Sequence, residues 1–212
     1  MNLASRMRFV WENTIPRNAH LGLNGEESLM MERYTRYVTD KVNVNRKTVV
    51  DFGIGGGLLG KHIFTVAKPK LYIGYDIAER SLGIATANLE PWKDRVKLIH
   101  IKEHRWSFAE QKPNIIVSLA CIIHIPTKLY LDNVLSEMNI SGAGRLILEV
   151  RDKGRGIWIR PNAYESLKVP IQTCESPEPY VSKILTNYEL IEKTTPTAEH
   201  GLQILWYRRK SA

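Results

Sequence analysis

Cysteine is scarce. The 212 residues hold two, Cys121 in an apolar run and Cys174 in a Pro-rich segment. Neither has the partner spacing of a metal site, so no metal is expected and reduced thiols are the default. Long hydrophobic runs are also missing. The strongest, Ile115 to Ile125, is broken by Ser118 and His124 and is too short to span a bilayer. The first residues, Met1-Asn2-Leu3-Ala4-Ser5-Arg6-Met7-Arg8, contain no apolar core of signal-peptide length. Internal repeats and low-complexity tracts are absent. These absences set the expectation of a soluble, cytoplasmic protein with no membrane partner. Acidic residues are outnumbered, 22 against 30 Lys and Arg, for a formal net charge of +8. That balance permits an anionic partner such as nucleic acid without establishing one. The basic residues are spread along the chain. The tight cluster Arg208-Arg209-Lys210 reads as a solvated end.

What is present is ordinary globular material, 43% hydrophobic and 25% charged, organised around one stretch. Thr48-Val49-Val50 is β-branched and reads as a strand; Asp51 closes it. Gly53, Gly55, Gly56, Gly57 and Gly60 follow, and Leu58, Leu59, Ile63, Val66 and Ala67 then recur at helical spacing. The stretch is therefore strand, tight turn, helix. Such a turn lets a backbone approach a ligand closely, and the helix start offers unpaired N–H groups. Two registers compete. Gly55, Gly57 and Gly60 fit G-x-G-x-x-G, which places a pyrophosphate on the helix start. Asp51, Gly53, Gly55 and Gly57 fit D-x-G-x-G-x-G, which puts a carboxylate at the strand end. That carboxylate suits a cationic group and sits badly beside a pyrophosphate. A bland alternative leaves the glycines as a mere turn.

Asp51-Phe52-Gly53-Ile54-Gly55-Gly56-Gly57 resembles motif I of class I S-adenosylmethionine-dependent methyltransferases. The resemblance runs from about Thr48 to the C-terminus and leaves out the first forty or so residues. It implies that Asp51, Gly53, Gly55 and Gly57 hold the methionine end of S-adenosyl-L-methionine, with the acid near its amino group. A second apolar strand, Leu71 to Tyr75, ends in Asp76, nineteen residues after Gly57. A carboxylate there can accept two hydrogen bonds from a ribose diol, in NAD as in S-adenosylmethionine; as a bland alternative it caps the next helix. Asp76 and the adjoining Ile77 are expected at the cofactor. Val96 to Ile101 reads as a third strand, with His100 structural. The resemblance places an adenine contact just after it. The customary Asp is absent, and Glu103 and His104 are the nearest candidates.

Ile115 to Ala120 is a near-continuous apolar strand of the doubly buried kind. The resemblance sets Ser118 and Leu119 at the floor of the cofactor pocket. His124-Ile125-Pro126 resembles the segment after the fourth strand in small-molecule methyltransferases, with Asn114 and Ile125 standing for the customary Asp and Leu. The Asn/Asp-Pro-Pro-aromatic run of nucleic-acid amino-methyltransferases has no counterpart in Ser118-Leu119-Ala120-Cys121. His124 is the candidate general base, since neutral imidazole is available near pH 7; alternatively it caps a helix or bonds to a carbonyl. Pro126 to Met138 reads as a helix and Arg145 to Val150 as the fifth strand. Glu149, Arg151 and Asp152 follow as possible substrate contacts. Residues 157–180 are too irregular for a strand of a doubly wound sheet. Tyr188 to Lys193 and Gly201 to Arg208 are strands joined by a short link, so they pair antiparallel.

The expected fold is an α/β three-layer sandwich with a seven-stranded, mostly parallel sheet, Rossmann-like, closed by an antiparallel terminal hairpin. Residues 1–44 are expected to form an N-terminal helical cap and residues 45–212 the methyltransferase-like domain. Tyr34 and Tyr37, on a helix read from Glu26 to Val42 and capped by Asn24, are expected to pack, as are Trp11 and His20; the alternative is that the four line a substrate pocket. The implied function is methyl transfer to a small molecule. The alternatives are transfer to nucleic acid or protein, an NAD-linked enzyme, and a non-catalytic adenosyl-ligand-binding subunit.

Overall fold

The computed structural model describes residue 12 and residues 25–102, 106–125, 127–151, 159–161, 172–174, 176–195, 197 and 201–211. Readings placed on Trp11, His20, Asn24, Glu103, His104, Pro126 and Asp152 lie outside these residues. The chain divides into two compact units, Met1–Trp106 and Ser107–Ala212.

The first unit alternates helix and strand. It holds α1 (Gly25–Thr39), β1 (Thr48–Phe52), α2 (Leu58–Val66), β2 (Leu71–Asp76), α3 (Glu79–Leu89), a 3-10 turn (Glu90–Arg95) and β3 (Val96–His100). The strands are parallel, β1 beside β2 and β2 beside β3. The crossovers between them are long enough to carry a helix, as parallel pairing requires. The register sets Val49 against Tyr72 and Asp51 against Gly74. Side chains alternate along a strand, so Val49, Asp51, Tyr72, Gly74 and Asp76 share one face. Val49, Val50, Ile63 and Ile73 are fully buried, each worth ~1.5–3 kcal/mol of transfer free energy. The β-branched opening of β1 thus serves both pleat and core.

The second unit holds β4 (Ile115–Ser118), a 3-10 turn (Ile122–His124), α4 (Lys128–Ile140), β5 (Arg145–Arg151), β6 (Ile159–Pro161), β7 (Gln172–Cys174), α5 (Glu178–Ile184), β8 (Tyr188–Lys193) and β9 (Leu202–Arg209). β4 runs parallel to β5; β9 runs antiparallel to both β5 and β8. β6 and β7 form a separate antiparallel ribbon, so among the described residues the irregular stretch 157–180 adds no strand to the main sheet. α4 starts at Thr127, whose Oγ1 accepts the Tyr130 N–H at 3.2 Å, an ordinary threonine cap.

The seven-stranded sheet has the order β3-β2-β1-β4-β5-β9-β8 and is flanked by helices. The expected architecture, mostly parallel with an antiparallel terminal hairpin, is what the chain adopts. No helix among the described residues is long and apolar enough to cross a membrane.

Candidate functional site

The β1–α2 turn holds the glycines of both registers. Gly53, Gly55 and Gly57 all have left-handed backbones, with φ of 83°, 54° and 78°. Only glycine takes such angles without strain. These are the alternate positions of D-x-G-x-G-x-G. Gly60 lies inside α2 and serves close helix–strand packing, as the third glycine of G-x-G-x-x-G also does: a Cβ there would stand 2.8 Å from Cε1 of Tyr72. Gly57 is tight too, with Ala85 and Leu89 at 3.1 Å from its would-be Cβ. Gly55 differs. A Cβ built on it meets nothing within 4 Å, so this part of the loop faces open space.

Two buried carboxylates stand at the ends of β1 and β2. Asp76 Oδ2 accepts the Gly55 N–H at 2.8 Å, and Oδ1 accepts the Ala78 N–H at 2.8 Å. Asp76 therefore braces the glycine loop and opens α3 at once. A carboxylate has about four lone-pair sites, so these bonds leave it capacity for a further donor. Burial raises its pKa, while the backbone bonds from Ala78, Gly55 and Ile77 pull the other way. Glu12 caps the same helix start, accepting the Glu79 N–H at 2.5 Å and the Arg80 N–H at 3.2 Å. Ile77 is half-buried, and its carbonyl accepts from Nε2 of His100 at 3.1 Å.

Asp51 is 3% exposed, and its Oδ2 accepts the Tyr72 hydroxyl at 2.7 Å. Burial pushes its carboxyl up to about 7; the tyrosine bond opposes that rise and the neighbouring Asp76 charge adds to it. Among the described residues no lysine or arginine pairs with either aspartate. The strand ends thus set two buried carboxyl groups beside open backbone. That arrangement suits a cationic group and a hydroxyl donor. Tyr72 was not among the residues singled out from sequence. It stands in an apolar strand where a tyrosine reads as core. Only the strand register brings its hydroxyl to Asp51.

The second unit carries the remaining candidates. Ser118 and Leu119, at the end of β4, are buried. Ala120 follows with a left-handed φ of 54°, unusual for a residue with a Cβ. Its N–H donates to Oε2 of Glu149 at 2.6 Å. Glu149 is itself buried on β5, so this carboxylate clamps the turn after β4. His124 closes the 3-10 turn, half-buried, with its N–H donating to the Cys121 carbonyl at 2.9 Å. Arg151 is half-buried, and its N–H donates to Ser176 Oγ at 3.3 Å. Among the described residues no group of three or more His, Cys, Asp or Glu is placed to hold a metal ion.

No protein-family model and no curated protein sequence matches this chain. Solved structures do. Magnesium protoporphyrin IX methyltransferase (ChlM) from Synechocystis, crystallised with bound SAM, has a TM-score of 0.73 at 17% identity, covering 99% of this chain and 98% of that one. The 1,6-didemethyltoxoflavin-N1-methyltransferase of Burkholderia thailandensis, with 1,6-didemethyltoxoflavin and S-adenosylhomocysteine bound, has a TM-score of 0.72 at 14% identity, covering 98% and 88%. The [4+2]-cyclase SpnF has a TM-score of 0.76 at 10% identity, covering 100% and 98%. At such identities the likeness is one of fold. The chain has the fold of class I S-adenosylmethionine-dependent methyltransferases.

Proposed function

We propose that the chain binds S-adenosyl-L-methionine on the β1–α2 loop and transfers its methyl group to a small-molecule acceptor. One observation carries the reading: Asp51 and Asp76, buried at adjacent strand ends, flank a loop whose left-handed glycines leave open space at Gly55. Asp51 would take the cofactor's amino group, and Asp76 a ribose hydroxyl through the lone pair its backbone bonds leave. A dinucleotide would set its pyrophosphate beside the Asp51 carboxyl. The fold fits the same reading, since similar structures hold SAM or S-adenosylhomocysteine, and the toxoflavin methyltransferase holds a small acceptor.

When bound, the cofactor supplies a methyl group already activated on a sulfonium. The chain's part is then to bind, orient and exclude water. Gly53, Gly55 and Gly57 give close backbone approach. Ser118 and Leu119 are assigned to the pocket floor, and Glu103 and His104 to the adenine side. His124 is assigned as the base that takes a proton from an acceptor hydroxyl or amine. The protein is assigned to solution rather than to a membrane.

A second reading has one observation in its favour. The likeness to a [4+2]-cyclase fits a protein that uses this fold without moving a methyl group. The test is transfer from methyl-labelled S-adenosylmethionine to a panel of small alcohols, amines and carboxylic acids, with RNA and peptide pools alongside. Label in a small molecule, reduced at least tenfold by His124→Ala, is expected. Label only in RNA or peptide would overturn the small-molecule acceptor. Binding with no transfer to any pool would favour the second reading.

A further inference from the structure

Asp51 meets its buried partner through a neutral hydroxyl. Tyr72 is fully buried, and its hydroxyl donates to Asp51 Oδ2 at 2.7 Å. Among the described residues no other side chain bonds to Asp51. Several features cooperate to put the tyrosine there. β1 and β2 pair so that Tyr72 stands beside Val49, one diagonal step from Asp51 on the same face. Gly74, directly beside Asp51, has no side chain to intervene, and a Cβ there would lie 2.2 Å from Cδ1 of Ile54. Gly60 on α2 leaves room for the ring itself. Phe64 packs against the ring, centroid to centroid 5.9 Å.

We infer that Tyr72 is a positioning residue for the cationic amino-acid end of the ligand, orienting the Asp51 carboxyl and favouring its ionised form without cancelling its charge. The inference rests on the S-adenosylmethionine reading above. The choice of donor is what the chemistry explains. A buried carboxylate needs a hydrogen-bond partner to stay ionised. A lysine or arginine would supply one and also cancel the charge that attracts an ammonium group. A phenol supplies the bond and leaves the negative charge for the ligand. The other groups acting on Asp51 are negative: Asp76 raises its pKa, and Glu12 acts on Asp76 in turn. Without the hydroxyl, burial and Asp76 together favour the protonated, neutral acid, which attracts no cation.

Tyr72→Phe keeps the ring and removes only the donor. The experiment is calorimetric titration of wild type and Tyr72→Phe at pH 6, 7 and 8. S-adenosylhomocysteine is the probe with an amino-acid end; 5′-methylthioadenosine is the probe without one. Difference infrared spectra of the free proteins, with Asp51→Asn as the blank, follow the Asp51 carboxyl directly. The expected result is an Asp51 carboxyl band that persists to higher pH in the variant. S-adenosylhomocysteine affinity should fall about fivefold at pH 7 and about twofold at pH 8, since a one-unit rise from about 7 leaves roughly a tenth of the carboxyl ionised at pH 7 in place of a half. Methylthioadenosine affinity should be unchanged. Equal S-adenosylhomocysteine affinity in both proteins at every pH would overturn the inference and leave the cofactor reading standing. So would a uniform loss for both probes, which is a packing effect. Failure of wild type to bind S-adenosylmethionine and S-adenosylhomocysteine would overturn the cofactor reading, and the inference with it.

Discussion

Replacing Asp51 by Asn should make the ligand-free protein more stable above neutral pH while removing the charge that binds a cation. The sign follows from burial. Asp51 is 3% exposed, and its carboxyl is raised from 3.8 to about 7 in the folded chain. Below pH 4 the acid is protonated in both states and adds no pH dependence. Between pH 4 and 7 the unfolded chain has released the proton and the folded chain has kept it. Folded protein therefore binds more protons, and stability falls as pH rises through this window. Above about pH 7 the penalty is constant. A shift of about three units corresponds to on the order of 4 kcal/mol. Asn carries no such penalty, is nearly isosteric, and offers a carbonyl oxygen to the Tyr72 hydroxyl. Urea unfolding of both proteins at pH 5 and pH 8, without ligand, measures the effect. The variant should gain on wild type by roughly 2–3 kcal/mol between the two pH values, which for a chain this long is several degrees in Tm. Parallel pH dependence in the two proteins, or a variant less stable than wild type at pH 8, would refute the reasoning.

Two further outcomes follow from the same geometry. Gly60→Ala drives a Cβ to within 2.8 Å of the Tyr72 ring and should cost about 1–3 kcal/mol by overpacking; thermal unfolding checks it, and an unchanged Tm would show that the ring moves freely. Glu149→Ala removes the buried carboxylate that accepts the Ala120 N–H at 2.6 Å and should cost about 1–3 kcal/mol, whereas Glu149→Gln keeps an acceptor and should cost less; equal losses in urea unfolding would show that the bond carries no weight.

The glycine stretch was legible because its signals are local. β-branched residues made β1, alternate glycines made the turn, and apolar spacing made α2. The strand-end acids were legible for the same reason. Which glycine register holds was not legible from spacing, since both patterns fit; the structure adds that Gly53, Gly55 and Gly57 are left-handed and that Gly60 is packed against Tyr72. Asp76 shows a mixed outcome. Helix capping, read as the bland alternative to ribose binding, is present: one carboxylate holds both Gly55 and Ala78 N–H groups and keeps capacity for one further donor. The Tyr72–Asp51 bond depends on strand register, which periodicity does not encode. The left-handed Ala120 could not be read, because alanine is no turn signal; its cause is a carboxylate twenty-nine positions away on another strand. The antiparallel end of the sheet was legible from one short link between two apolar runs.

The central claim is that the loop around Asp51 and Asp76 holds S-adenosylmethionine. Calorimetric titration of the purified protein with S-adenosylmethionine, S-adenosylhomocysteine and NAD, repeated on Asp76→Ala, tests it most directly. Micromolar binding of the first two, weakened at least tenfold by the substitution and absent for NAD, is the expected result. Binding of NAD alone would contradict the claim and return the loop to a dinucleotide.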